Sequence, residues 1–130
     1  MVAVRRAIAD TSVLVGLEAG LVTEQVADYA WAVSAISLGE LRLGVLRATD
    51  PDTTSIRLAA YQLARQFDPL VVDEAVADAW AILIARLRAD GRRMPINDSW
   101  IAATAIAHEV PVVTQDADYD EAPGLTVVKL

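Results

Sequence analysis

A chain of 130 residues is expected to form one domain, spanning 1–130, with room for a proper core and not for two. Its hydrophobic share of 55% comes mostly from Ala, Val, Leu and Ile. No apolar run reaches the roughly 18–20 residues that cross a bilayer, and the start MVAVRRAIAD lacks the apolar core of a signal peptide. A cytoplasmic protein without membrane contact is therefore expected. The lack of cysteine excludes disulfides, thiolate metal sites and a cysteine nucleophile, and a net charge of −7 argues against a general nucleic-acid binder.

The first apolar run, through Ala7, Ile8 and Ala9, reads as a buried central strand. It stops at Asp10-Thr11-Ser12. In an open parallel sheet ligands bind beyond the carboxyl ends of the strands, so Asp10 stands at the expected site. The plainer reading of Asp10 is a helix N-cap. The following SVLVGLEAG predicts a short helix closed by Gly20 as its C′ residue, and LVTEQVADYA a second helix capped by Thr23. WAVSAI, from Trp31 to Ile36, has the β-branched and apolar pattern of a second strand. From Ser37 the spacing of Leu38, Leu41, Val45 and Leu46 is helical. Glu40 then falls in the first turn, where Ser37-x-x-Glu40 also reads as a capping box.

A Pro-containing turn at Asp50–Asp52 precedes another helix, SIRLAAYQLARQF, and these two helices are expected to form a hairpin with an apolar groove. DPLVV is a short strand or extended link. Asp73-Glu74 open a long helix to Gly91, whose Val76, Trp80, Leu83, Ile84 and Leu87 mark a buried face. After the loop GRRMPI a further helix begins, with Asn97 or Asp98 as its cap. VPVVT is a strand, Gln115–Tyr119 a polar turn, and LTVVKL the last strand. Strands alternating with helices predict an α/β fold, a mostly parallel sheet covered on both faces.

Asp10, Glu40, Asp98 and the pair Asp116 and Asp118 all fall where a strand has ended or a helix has begun, and in a parallel sheet those points share one edge. Like charges about 4 Å apart repel by roughly 4 kcal/mol at an effective dielectric near 20. Such a cluster needs cations, and an all-oxygen ligand set prefers Mg²⁺ or Mn²⁺. Carboxylate-held ions of this kind hydrolyse phosphodiesters. The natural reading is a nuclease.

The chain resembles the PIN-domain ribonucleases of the VapC toxin type. ADTSVLV around Asp10, SAISLGEL around Glu40, INDSWIAATA around Asp98 and VVTQDADY around Asp116 carry the resemblance, in an order that covers nearly the full length. It implies a three-layer αβα sandwich, a divalent-metal site, endonucleolytic cleavage of RNA, and inhibition by a cognate VapB antitoxin. By that resemblance Asp10, Glu40, Asp98 and Asp116 match the acidic quartet used in catalysis, with Asp10, Asp98, Asp116 and Asp118 as metal ligands. Thr11 and Thr114 match small polar supports. The family's final motif often has Asn at the position of Asp116, which leaves open whether Asp116 or Asp118 touches metal directly.

Arg92 and Arg93, in the loop leading to INDSW, are candidates for holding an RNA backbone. His108, near a helix end, is expected to meet terminal carbonyls rather than act as a base. Trp31, Trp80 and Trp100 read as core aromatics rather than stacking platforms. A homodimer is expected, with the antitoxin's helix in the groove between the hairpin helices. Two rival readings stand beside the nuclease. A phosphatase-like or receiver-like phosphoryl-transfer domain would need a lysine near the phosphoryl group, and the only lysine is Lys129. A nonenzymatic binding module, with its acids as caps, would lack a tight divalent-ion site.

Overall fold

The computed structural model describes residues 5–20 and 29–130. Its centre is a five-stranded parallel sheet of β1 (Arg5–Ala9), β2 (Tyr29–Ser34), β3 (Asp68–Leu70), β4 (Val112–Thr114) and β5 (Val127–Lys129), in the order β3-β2-β1-β4-β5. All four pairings are parallel, so the expected mostly parallel sheet is wholly parallel. Successive strand residues face opposite sides, and this alternation builds two cores. Ile8, Ala32, Leu70 and Val112 pack against α4 (Glu74–Ala89) and α5 (Ile96–His108). On the other side, Ala7, Ala9, Val33 and Val113 meet α1 (Thr11–Glu18), α2 (Ala35–Arg47) and α3 (Pro51–Ala64). Helices on both faces make the expected three-layer sandwich.

Chain direction fixes where a site can form. From β1 the chain steps outward through β2 to β3, and later returns to the opposite side of β1 for β4 and β5. The order therefore reverses between β1 and β4, the place where open α/β sheets bind ligands. Asp10 and Thr114 lie at that gap.

Several boundaries differ from those the sequence predicts. The helix expected over LVTEQVADYA with Thr23 as cap falls mainly on residues 21–28, outside the described residues, while Tyr29 and Ala30 belong to β2. That strand ends at Ser34, not Ile36. The Ser34 hydroxyl accepts from the Ile36 amide at 3.1 Å and is the N-cap of α2, so the capping box from Ser37 to Glu40 does not form. Ser37 is buried inside the helix, and Glu40 lies in its second turn. Asp50 caps α3 with Pro51 at the first helical position, ahead of the expected start.

α5 is likewise not capped by Asn97 or Asp98. Its N-cap is Pro95, whose side chain makes no capping bond. The helix begins at Ile96, one residue ahead of Asn97, so Asn97 and Asp98 fall inside its first turn and cap nothing. Asp73 caps α4, and Gly20 follows α1 with φ of +93°, a left-handed conformation that favours glycine.

Candidate metal and catalytic site

Asp10 is only 4% exposed and both of its oxygens are used. As N-cap of α1, its Oδ1 accepts from the Val13 amide at 3.0 Å and from the Ser12 hydroxyl at 2.7 Å. Its Oδ2 accepts from the Thr114 hydroxyl at 2.6 Å. That last bond follows from the register, since Ala9 pairs with Val113 and the next residues on the two strands are Asp10 and Thr114. The Thr114 oxygen in turn accepts from the Asp116 amide at 2.9 Å. One hydroxyl thus ties the end of β1 to the loop after β4.

That loop folds into a single 3-10 turn, Ala117–Tyr119, capped by Asp116, whose Oδ1 accepts from the Asp118 amide at 2.9 Å. The turn carries Asp118 toward the start of α5. There Asp98, Asp116 and Asp118 each offer a carboxylate oxygen, and the three atoms lie within 4.8 Å of one another. No ion pair among the described residues involves Asp10, Glu40, Asp98, Asp116 or Asp118. The negative charge is uncompensated.

The effect on Asp98 is direct. Burial first, then its hydrogen bond with Asp118, pushes its pKa up to about 7; the Tyr119 hydroxyl opposes this, and the charges of Asp118 and Asp116 add to it. Tyr119 is fully buried and donates to Asp98 Oδ1 at 3.2 Å. Its phenol is held well above its ordinary pKa, chiefly by burial and then by the carboxylates of Asp98, Asp10 and Glu40. Of these three carboxylates Asp98 touches the phenol, while the charges of Asp10 and Glu40 act on it from farther away. Glu40, half-buried on α2, accepts from the Thr11 hydroxyl at 2.8 Å, and Thr11 also lies 3.3 Å from the Ser37 hydroxyl.

Of the residues singled out in the sequence, Asp98, Asp116 and Asp118 converge on one point. Asp10 and Glu40 are not part of that group: Asp10 is tied to Asp116 through the Thr114 hydroxyl, and Glu40 is tied to Thr11, the residue after Asp10. Thr11 and Thr114 each bond a site carboxylate. Arg92 and Arg93 line a hollow with Asp118, although Arg92 also pairs with Glu121 at 3.1 Å. His108 is exposed in the last turn of α5, about 15 Å along the helix from Asp98. Trp80 and Trp100 stack on each other with centroids 4.4 Å apart, half-buried rather than core. Sequence reasoning missed Tyr119 and Ser12. An aromatic residue immediately after Asp118 was the available signal for the first, and a hydroxyl two residues after a capping Asp for the second.

Three carboxylate oxygens on an octahedral ion at about 2.1 Å stand about 3 Å apart when adjacent and about 4 Å when opposite. The all-oxygen chemistry of the three aspartates fits a hard divalent cation, and oxygens within 4.8 Å of one another need only a small inward shift to reach those separations.

Comparison with known proteins supplies relatives of the whole chain. The model of the PIN domain matches residues 7–125. Ribonuclease VapC4 of Mycobacterium tuberculosis is 54% identical over 128 residues, covering 98% of each chain. Ribonuclease VapC5 of the same organism is 38% identical, over 93% of this chain and 90% of that one. Among solved structures, VapBC-5 from Mycobacterium tuberculosis, described as a member of the VapBC family of toxin–antitoxin systems, superposes with a TM-score of 0.84 at 34% identity, covering 96% of this chain and 98% of that one.

Proposed function

The chain belongs to the PIN-domain family, among its VapC ribonucleases, and on that footing we propose that its acidic edge is the centre of a divalent-metal-dependent endoribonuclease. The protein is the toxin of a toxin–antitoxin pair, folded as a single domain over 1–130 and working in the cytoplasm. The observation that carries the metal reading is the meeting of Asp98, Asp116 and Asp118 oxygens within 4.8 Å, with no basic partner among the described residues.

Mg²⁺ or Mn²⁺ is the ion this donor set takes. Asp98, Asp116 and Asp118 would hold it, with the Asp10 carboxylate, tied to the Asp116 loop through Thr114, adding negative charge nearby. When bound, such an ion neutralises the carboxylates, activates a water and stabilises the leaving oxygen of the phosphodiester. The chain's own groups set the stage. Thr114 fixes the rotamer of Asp10, Tyr119 orients Asp98, and Thr11 turns Glu40 toward the cleft, where its carboxylate can accept the proton of an attacking water. Arg92 and Arg93 face the RNA backbone beside Asp118.

The partner is a VapB-type antitoxin. Between α2 and α3 lies a groove of about 540 Å³, lined by Leu41, Leu43, Gly44, Ile56 and Ala60, that reaches Glu40 and Asn97 at the acidic edge. Leu43 and Ile56 are 47% and 64% exposed, an apolar surface fit for an amphipathic helix. Leu63, a half-buried residue of α3, is not part of that lining. The toxin itself is read as a homodimer. Incubating purified protein with RNA in Mn²⁺ and in excess EDTA tests the function. Cleavage only with metal is expected, and undiminished cleavage in EDTA overturns the metal reading.

A further inference from the structure

Resting on the ribonuclease reading, we propose that a second cavity beside the acidic notch is a nucleotide subsite, holding an unpaired nucleotide that flanks the cut bond. The cavity measures about 700 Å³ and is lined by Trp80, Arg88, Arg92, Arg93, Met94 and Ile96, among others. It falls within the size range of sites for small organic ligands, about 300–1,000 Å³. Arg92, Arg93 and Met94 also line the adjoining hollow of about 420 Å³ that contains Asp118. The two spaces share a wall, so a strand lying across the acidic notch continues over these arginines into the cavity.

The chemistry of the lining selects the occupant. In a chain of net charge −7, three of the ten arginines gather here. Arg88 and Arg93 have no ion-pair partner among the described residues, which leaves their guanidinium groups available to phosphate. Trp80 supplies a fixed aromatic wall. Its ring is stacked on Trp100 with planes 2° from parallel, and its Nε1 donates to the Ser99 hydroxyl at 3.0 Å. Ser99 follows Asp98, so this wall is anchored on the same helical turn as the metal-site carboxylate. Exposed Ile96 and half-buried Met94 give the apolar contact a base requires.

A concave aromatic and arginine-lined site suits a base splayed out of a single strand and not one paired in an A-form duplex. The ligand class is therefore single-stranded RNA, with its phosphates on Arg88 and Arg93 and its base against Trp80 and Met94. This subsite would give the enzyme a preference among sequences next to the cut.

The test is the binding of a fluorescent single-stranded RNA of mixed sequence, in excess EDTA so that metal-dependent cleavage does not proceed, to wild type and to the double variant Arg88→Gln, Arg93→Gln. Both positions are exposed, so the fold should tolerate the change. The expected result is roughly tenfold weaker binding and a salt dependence shallower by about 1.4, at about 0.7 per phosphate contact on a single strand, with the oligomeric state unchanged in sedimentation. Trp80→Leu should weaken binding while keeping the wild-type salt slope. Equal affinity and slope in wild type and double variant overturn the subsite. So does a double variant whose only change is dissociation of a dimer, since the cavity is then a contact between copies. A wild type that binds this RNA through the arginines yet cleaves no RNA with Mn²⁺ overturns the ribonuclease reading and not the subsite.

Discussion

Asp10 and Asp98 stand at the same edge of the sheet, yet their surroundings are opposite. Asp10 caps a helix, is almost fully buried, and accepts three hydrogen bonds, from Val13, Ser12 and Thr114. Asp98 caps nothing, accepts a 3.2 Å bond from Tyr119, and stands against two other aspartates, Asp118 within hydrogen-bond reach. The first carboxylate stabilises the fold it sits in. The second is destabilised by its neighbours and is relieved only by a cation or a proton. Sites store this kind of unfavourable charge where a ligand will later compensate it.

Substitution separates the two roles. Asp98→Asn should lower RNA cleavage by at least about 100-fold, the scale expected when a group acting on transition-state charge is lost, while raising the melting temperature in EDTA because like-charge repulsion is relieved. Asp10→Ala should instead destabilise the protein by about 2–4 kcal/mol. That figure combines about 1 kcal/mol for a lost N-cap with about 1–3 kcal/mol for the Thr114 hydroxyl left without its buried acceptor. Urea unfolding of both variants checks the contrast, and equal stability changes would erase it.

The sequence does not distinguish these carboxylates, because each follows a strand or opens a helix in the linear pattern. Alternating strands and helices were legible, since β1 and β4 are short apolar runs and Val76 to Leu87 repeat at helical spacing. The acidic set was also legible, as four separate motifs in order. Cap positions were not. Ser34 and Ser37 are both plausible caps in sequence, and only the tight exit from β2 selects the first. α5 begins at Ile96 with Pro95 as its cap, which puts Asn97 and Asp98 inside the helix. Tyr119 is not legible in the sequence, because its hydroxyl meets Asp98 across 21 residues that only folding brings together.

Metal and pH sharpen the comparison further. A saturating divalent ion, at about 100 times its dissociation constant, should stabilise wild type by about 2.7 kcal/mol and Asp98→Asn by much less. EDTA should reverse the gain. Without metal, Asp98 has a folded pKa of about 7, above its ordinary value of 3.8. Between those values the folded state binds the extra proton, so this group's contribution is fully present below pH 3.8 and is lost as pH rises through 7. Melting temperatures of the metal-free protein should therefore fall less steeply across that range in Asp98→Asn than in wild type. The smallest effect is expected for Thr114→Val, which keeps the shape of the side chain but removes the donor to Asp10. It should cost about 1–2 kcal/mol, and a stability equal to wild type would show that the bond between β1 and the β4 loop contributes nothing.

The most direct test is an anomalous diffraction map from crystals soaked in Mn²⁺. A peak is expected within coordination distance, about 2.0–2.4 Å, of carboxylate oxygens from Asp98 and from Asp116 or Asp118. An enzyme that cleaves RNA in Mn²⁺ while its crystals show manganese only elsewhere would contradict it.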